Sequence, residues 1–233
     1  MTRTLAAIAA LLMVSAFARA DVILDDFTSP TPGVEFAISN TNTSPYTITT
    51  DLGGGTIRTA TFTVTSPNPA GSFSLVGVVG GGSVDMFFNS TSSGNAVINH
   101  VFGTPLDLQG IGGSAGAIRL TTQSIGNPDV AYTLDVITAT GTLSASGSFA
   151  NSTVFVDRDV AFTSLNSSIP GGTGDLSQVT GLKLTVTGNT ADDFRLDKIA
   201  VTEPQQVPAP AGVFLALAAL PVLGFRRYFA KKA

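Results

Sequence analysis

The sequence predicts an all-β fold, a single β-sandwich or barrel, and three observations predict it. Between residues 21 and 206, apolar and polar residues alternate at period two in many short runs; turn-forming clusters separate those runs; and no stretch with helical period is found there. The runs include Thr56–Thr65 (TIRTATFTVT), Ala117–Thr122 (AIRLTT), Val130–Thr138 (VAYTLDVIT), Thr153–Phe162 (TVFVDRDVAF) and Leu182–Thr187 (LKLTVT). Each is rich in Val, Ile, Thr or Phe, which suit a half-buried pleated surface. The separators are Gly, Pro, Asn and Ser clusters such as Asp51-LGGG, Ser66-PNPAG, Gly80-GGS, Ile169-PGGTG and Thr187-GN. Their spacing predicts about twelve strands.

The composition narrows the chemistry. The 233 residues are 43% hydrophobic and 12% charged, with no Cys, no Trp and one His. Such a chain is too apolar for disorder. Without Cys there is no disulfide scaffold, thiolate zinc site or iron–sulfur cluster. A domain of about 180 residues buries roughly 70% of its unfolded surface, so it needs no staple. Phe27, Phe36, Phe62, Phe73, Phe87, Phe88, Phe102, Phe149, Phe155, Phe162 and Phe194 are its expected core fillers. All 16 acids lie within 21–206 against six bases, a net charge of −10, so a nucleic-acid partner is excluded and acidic polymers are repelled.

The two ends read as addresses. Residues 1–20 combine Arg3, the apolar run LAAIAALLMVSAF and Ala18-Arg19-Ala20, the pattern of a secretory signal peptide cleaved between Ala20 and Asp21. Residues 207–225 are uncharged and apolar, about 28 Å as a helix, close to the roughly 30 Å of a hydrocarbon core. Arg226, Arg227, Lys231 and Lys232 follow and should stay cytoplasmic. Val207-Pro208-Ala209-Pro210, the apolar helix and the basic end together resemble the PEP-CTERM sorting signal of Gram-negative bacteria, with Ala209 where Glu is usual. The resemblance covers residues 207–233. It implies the secretion machinery and an exosortase-type transpeptidase as partners, a membrane-anchored intermediate at the inner membrane, and delivery to the cell surface or an extracellular matrix. The expected organisation is thus a signal peptide (1–20), a β domain (21–203), and a linker with the sorting signal (204–233).

The ends of the β domain carry a second resemblance. It opens with Val22-Ile-Leu-Asp-Asp-Phe27 and closes with Leu176-SQVTGLKLTVTGNTADDFRLDKIAV-Thr202, whose end has the form F-x-L-D-x-I-x-V. Both are similar to galactose-binding-like jelly rolls, many of them carbohydrate-binding modules, in which the first and last strands pair, and the resemblance implies a jelly-roll-like β-sandwich. That resemblance implies a structural calcium between those strands, with Asp25 or Asp26 and Asp197 as ligands. Asp26 and Asp197 are the pair taken forward, and solvated acids at strand ends are the alternative. No dedicated Asp-x-Asp-x-Asp-Gly calcium loop is present.

Catalytic patterns fail on their own requirements. Gly112-GSA-Gly116 fits G-x-S-x-G, but the only His, His100, precedes the Ser and no helix is predicted to follow it. Gly110-IGGSAG nearly fits a dinucleotide fingerprint but lacks the helix whose N-terminus would hold a pyrophosphate. Asp192 and Asp193, adjacent in a strand, point to opposite faces and do not form a glycosidase pair. The expectation is therefore an exported, non-enzymatic surface or matrix protein. A carbohydrate-binding module acting on exported polysaccharide is the alternative, and a glycoside hydrolase comes third.

Overall fold

The computed structural model describes residues 21–29, 33–39, 45–66, 73–88, 91–125, 130–167 and 174–202. The expected signal peptide and the sorting signal from Val207 to Lys232 lie outside the described residues. Among the described residues, no helix is long and apolar enough to cross a membrane.

Fourteen strands are described. They are β1 (Val22–Asp25), β2 (Val34–Ser39), β3 (Tyr46–Gly53), β4 (Thr56–Ser66), β5 (Phe73–Gly80), β6 (Ser83–Phe88), β7 (Ser93–Leu106), β8 (Ala117–Ile125), β9 (Val130–Thr138), β10 (Gly141–Phe149), β11 (Ser152–Ala161), β12 (Asn166–Ser167), β13 (Val179–Gly188) and β14 (Asp193–Thr202). They form two seven-stranded sheets. Sheet I runs β11-β8-β14-β6-β5-β2, with β1 beside β14; sheet II runs β12-β10-β9-β13-β7-β4-β3. All pairings are antiparallel. The predicted sandwich is therefore observed, and so is the pairing of first and last strands, with Val22 opposite Val201 and Asp25 opposite Ile199.

The alternation in sequence becomes the two faces of each strand. On β4, Ala60, Phe62 and Val64 point inward and are buried, while Thr59, Thr61 and Thr63 face out. The inner faces of both sheets share one core, tied across by aromatic pairs. Phe36 of sheet I meets Phe62 of sheet II at 4.4 Å between centroids, and Phe194 meets Phe149 at 5.2 Å. The strands of sheet II approach closely where β7 carries Gly94, since a Cβ there would collide with the Thr63 carbonyl and the Phe88 ring.

One element departs from the sequence expectation. Leu108–Gly112 forms a five-residue helix, α1, where no helix was predicted. Asp107 caps it by accepting from Gly110 N at 2.6 Å, and Gly113 ends it at φ +68°. Leu108 is its buried anchor, with its N–H donating to the Leu176 carbonyl at 2.9 Å. A segment this short shows no apolar period; the cap and a single buried Leu are sufficient to hold it.

A buried charged cluster joins the two sheets. Arg58 of β4 and His100 of β7 are register partners in sheet II, and both occupy inward positions. They meet Asp25 of β1, in sheet I. Arg58 Nη1 donates to both carboxylate oxygens of Asp25, at 2.9 and 2.8 Å. Its Nη2 donates to the Ser29 carbonyl. His100 Nε2 lies 2.6 Å from Asp25 Oδ2. An ionised carboxylate only accepts, so Nε2 carries the proton. Arg58 is fully buried and its guanidinium lies 4.8 Å from the centroid of the Phe27 ring. Phe27 sits at φ +54°, rare for a bulky residue, and its N–H donates to Asp25 Oδ1 at 2.8 Å.

Burial raises the Asp25 pKa, but the His100 hydrogen bond and the Arg58 charge outweigh it and leave the carboxyl below its ordinary value. A depressed folded-state pKa gives stability that is complete above the unfolded value and lost as pH falls through the folded one. Asp25→Asn strands a buried guanidinium, a loss of about 3–5 kcal/mol. Thermal melts at neutral pH should show a drop on the order of 10 °C. The variant should also lack the part of acid unfolding that the wild type shows below pH 3.8, the ordinary value for Asp. An unchanged melting temperature would show that the cluster is not a structural tie.

Candidate functional site

The edge strand β11 does not pair regularly. Ser152 lies opposite Ser124 of β8, and the next partners are Val156 and Thr122. Thr153, Val154 and Phe155 therefore stand against Gln123 alone. This bulge has a local cause in Val154-Phe155-Val156, three successive apolar residues that a period-two strand cannot all turn inward. Gln123 Nε2 clamps it, donating to the Thr153 carbonyl at 2.7 Å. Beyond the bulge the strand is pinned by Arg119, whose Nε and Nη2 donate to Asp159 at 2.8 and 2.9 Å, and by Thr121, whose hydroxyl donates to Asp157 at 2.7 Å.

The bulge places Val154 and Phe155 in solvent, at 64% and 40% exposure. Phe155 thus corrects the expectation that it is a core filler. The others with described burial, Phe27, Phe36, Phe62, Phe88, Phe102, Phe149, Phe162 and Phe194, are buried, and Phe87 is half-buried on the outer face of sheet I. Arg195 of β14 lies with its guanidinium 5.5 Å from the Phe155 centroid, and its Nε donates to Asp85 Oδ1 of β6 at 3.1 Å. Register sets Gln123, Arg195 and Asp85 in one row across β8, β14 and β6, with Ile125, Asp193 and Phe87 in the next.

The outer face of sheet I therefore gathers an exposed ring, an amide, a guanidinium and two carboxylates. Planar amide, guanidinium and carboxylate groups can engage two neighbouring hydroxyls at once, and an aromatic face takes C–H groups. The two described tyrosines are used elsewhere: Tyr46 stacks on Phe36 at 4.7 Å, and Tyr132 on Phe149 at 4.5 Å.

The residues singled out in the sequence are placed differently. Asp26 is exposed, and its Oδ1 accepts from Thr28 N at 3.1 Å and Thr28 Oγ1 at 2.8 Å. Asp197 is half-buried at an irregularity in the β14 register, between Leu196 and Lys198. Among the described residues, no group of three or more His, Asp or Glu side chains is placed to hold a metal ion. Asp25, the alternative to Asp26, is committed to Arg58 and His100. Asp21 accepts from Arg119 Nη1 at 3.2 Å. Ala20, Val207, Pro208, Ala209, Pro210, Arg226, Arg227, Lys231 and Lys232 lie outside the described residues. Ser114 of the G-x-S-x-G match follows α1 rather than opening a helix, and lines a small cavity of about 190 Å³ with Gln109, Phe162, Thr163 and Asp175. His100 is buried against Asp25.

No protein-family model matches the chain, and no curated protein is similar to it at a significant level. Solved structures are similar to it. A family 11 carbohydrate-binding module from Clostridium thermocellum, in complex with a β-1,3-1,4-mixed-linked tetrasaccharide, is 14% identical; the match covers 80% of this chain and 98% of that one, with a TM-score of 0.42. TmCBM61, in complex with β-1,4-galactotriose, is 11% identical over 80% of this chain and 99% of its own, with a TM-score of 0.39. The agarase AgWH50C is 10% identical over 79% of this chain and 25% of its own, with a TM-score of 0.48. These likenesses concern the fold. The two of these that are spanned nearly end to end are carbohydrate-binding modules. They correct the principal expectation from the sequence, an exported surface or matrix protein sorted by an exosortase-type system, in favour of its alternative, a carbohydrate-binding module.

Asp193, beside this row, has its pKa raised by burial and then by the neighbouring charge of Asp192. A carboxylate with a raised folded-state pKa costs stability above its unfolded value and costs none below it. Asp193→Asn should therefore melt higher than the wild type at neutral pH, with the gain gone below pH 3.8. A lower melting temperature at neutral pH would show that Asp193 is held by attractive contacts and is not strained.

Proposed function

We propose that this domain is a carbohydrate-binding module acting on exported polysaccharide through the outer face of sheet I. One observation carries the reading: the β11 bulge presents Phe155 to solvent beside Arg195, in a fold whose other fully described Phe side chains are buried or half-buried. An exposed ring costs apolar burial, and bulges recur where a strand re-aims a side chain toward a site. Arg195 is held by Asp85, so its position is set before a ligand arrives, which lowers the ordering cost of binding. Export remains part of this reading through residues 1–20, and an intact mass beginning at Asp21 would support it.

The test is affinity electrophoresis of residues 21–206 through gels containing mixed-linkage β-glucan, galactan, xylan or agarose. At least one polymer should retard the wild type. Phe155→Ala should weaken that retardation roughly tenfold or more, as loss of a central aromatic contact does. Its melting temperature should change little, because an exposed side chain contributes within about 0.5 kcal/mol. Equal retardation of wild type and variant would remove Phe155 from the site, and no retardation by any polymer would remove the function.

A further inference from the structure

The outer face of sheet II has a chemistry of its own. Register places Thr47, Thr61, Val97, Thr185, Thr133 and Ser146 side by side across β3, β4, β7, β13, β9 and β10. Hydroxyls pair along this row, Thr47 with Thr61 at 3.1 Å and Thr133 with Ser146 at 3.3 Å. The adjacent row runs Thr49, Thr59, Asn99, Lys183, Asp135, Ser144. Lys183 and Asp135 there neutralise each other at 2.9 Å. Beyond them the strands' outward positions carry one further charge, Asp51 at the end of β3.

This near-neutrality stands out in a chain with sixteen acids. The outer face of sheet I carries Asp85, Arg119, Asp157, Asp159, Asp193 and Arg195. Thr suits any strand, but solubility alone would be served by charges at these exposed positions. The row beyond, Asp51, Ile57 and Val101, adds two exposed apolar side chains. A face of neutral hydroxyls, amides and aliphatic groups is cheaper to dehydrate than a charged one, and each hydroxyl both donates and accepts. Among the described residues its outward positions carry no aromatic, Tyr46 of β3 being in phase with the inward Ile48 and stacked on Phe36, so this face lacks the ring platform that would grip a single sugar. Its breadth and neutrality match an uncharged, hydroxyl-rich polymer surface, which an acidic protein meets without repulsion.

We infer that sheet II is a second contact surface for neutral polysaccharide, back to back with the Phe155 face, so that one domain bridges two polymer chains. The inference rests on the carbohydrate-binding reading of sheet I and adds a second, chemically distinct face.

The experiment uses the polymer that retards the wild type. In one variant Thr49, Thr61 and Thr185 are changed together to Glu. A control places the same three charges at Ser114, Ala115 and Thr163, exposed residues away from sheet II. The sheet II variant should keep the wild-type affinity for a short soluble oligosaccharide of that polymer, read by calorimetry. It should lose roughly a hundredfold in apparent affinity for the insoluble polymer, because two linked contacts become one. Light scattering of dilute polymer should rise with wild type and control, and not with the sheet II variant or Phe155→Ala. If the control loses polymer binding equally, general charge repulsion is the cause and the second surface is refuted. If the sheet II variant binds and bridges polymer like the wild type, the second surface is refuted while the function stands. If the wild type binds no polymer or oligosaccharide, both fall together. Circular dichroism and melting of each variant confirm the fold; should the triple variant unfold, Thr49→Glu alone, at an exposed position, serves with the same readouts.

Discussion

The sandwich closes around a buried ion pair. The fully buried guanidinium of Arg58 has Asp25 as its counter-charge, and the pair holds the carboxyl below its ordinary pKa. A buried pair of this kind is a poor source of net stability, since hydrophobic residues of equal volume often do as well. Its value is positional. Arg58 and His100 reach Asp25 together only when β4 and β7 pair in the observed register, and a slip of one residue would turn either side chain to the outer face. Asp25 in turn fixes β1 beside the last strand, and its second oxygen holds the chain at Phe27, where a left-handed backbone conformation is tolerated. Register in sheet II, closure of sheet I and the turn after β1 therefore all depend on one carboxylate.

Much of this was legible in the sequence through phase. Arg58 is in step with Ala60, Phe62 and Val64, and His100 with Ala96, Ile98 and Phe102, so strict alternation already places both charges on the core side. What alternation cannot supply is the partner. Asp25 arrives from a four-residue strand in the opposite sheet, and contacts between sheets leave no periodic trace. The acid next to it, Asp26, has the same composition and a different fate, exposed and engaged with Thr28. Helix α1 was missed because its stability lies in the Asp107 cap and the buried Leu108 rather than in an amphipathic pattern.

The candidate site was legible only as a fault in the pattern. Val154-Phe155-Val156 breaks alternation in a strand paired on one side only, and the strand answers by looping out residues that the core cannot take. Counting Phe155 with the core phenylalanines followed composition; the consecutive apolar run was the signal against it. Arg195 and Asp85 were harder to see, lying 110 residues apart and joined only by the crossing of β14 beside β6. Sheet I thus concentrates its charges around one exposed ring, while sheet II sets its hydroxyls in rows.

The edges explain why the faces remain available for function. An open sheet edge is the ordinary route by which β proteins stick to one another. Here β11, one edge of sheet I, carries the bulge and the outward acids Asp157 and Asp159, and both features disfavour addition of another strand. At one edge of sheet II, β12 is two residues long and offers little backbone to pair. At those two edges, self-association through backbone hydrogen bonds is suppressed even though much of the surface is uncharged. The net charge carried elsewhere on the domain supplies the repulsion between copies that the neutral face of sheet II does not. A broad hydroxyl face can then stay exposed without promoting aggregation, which is the condition for a partner other than the protein itself to occupy it.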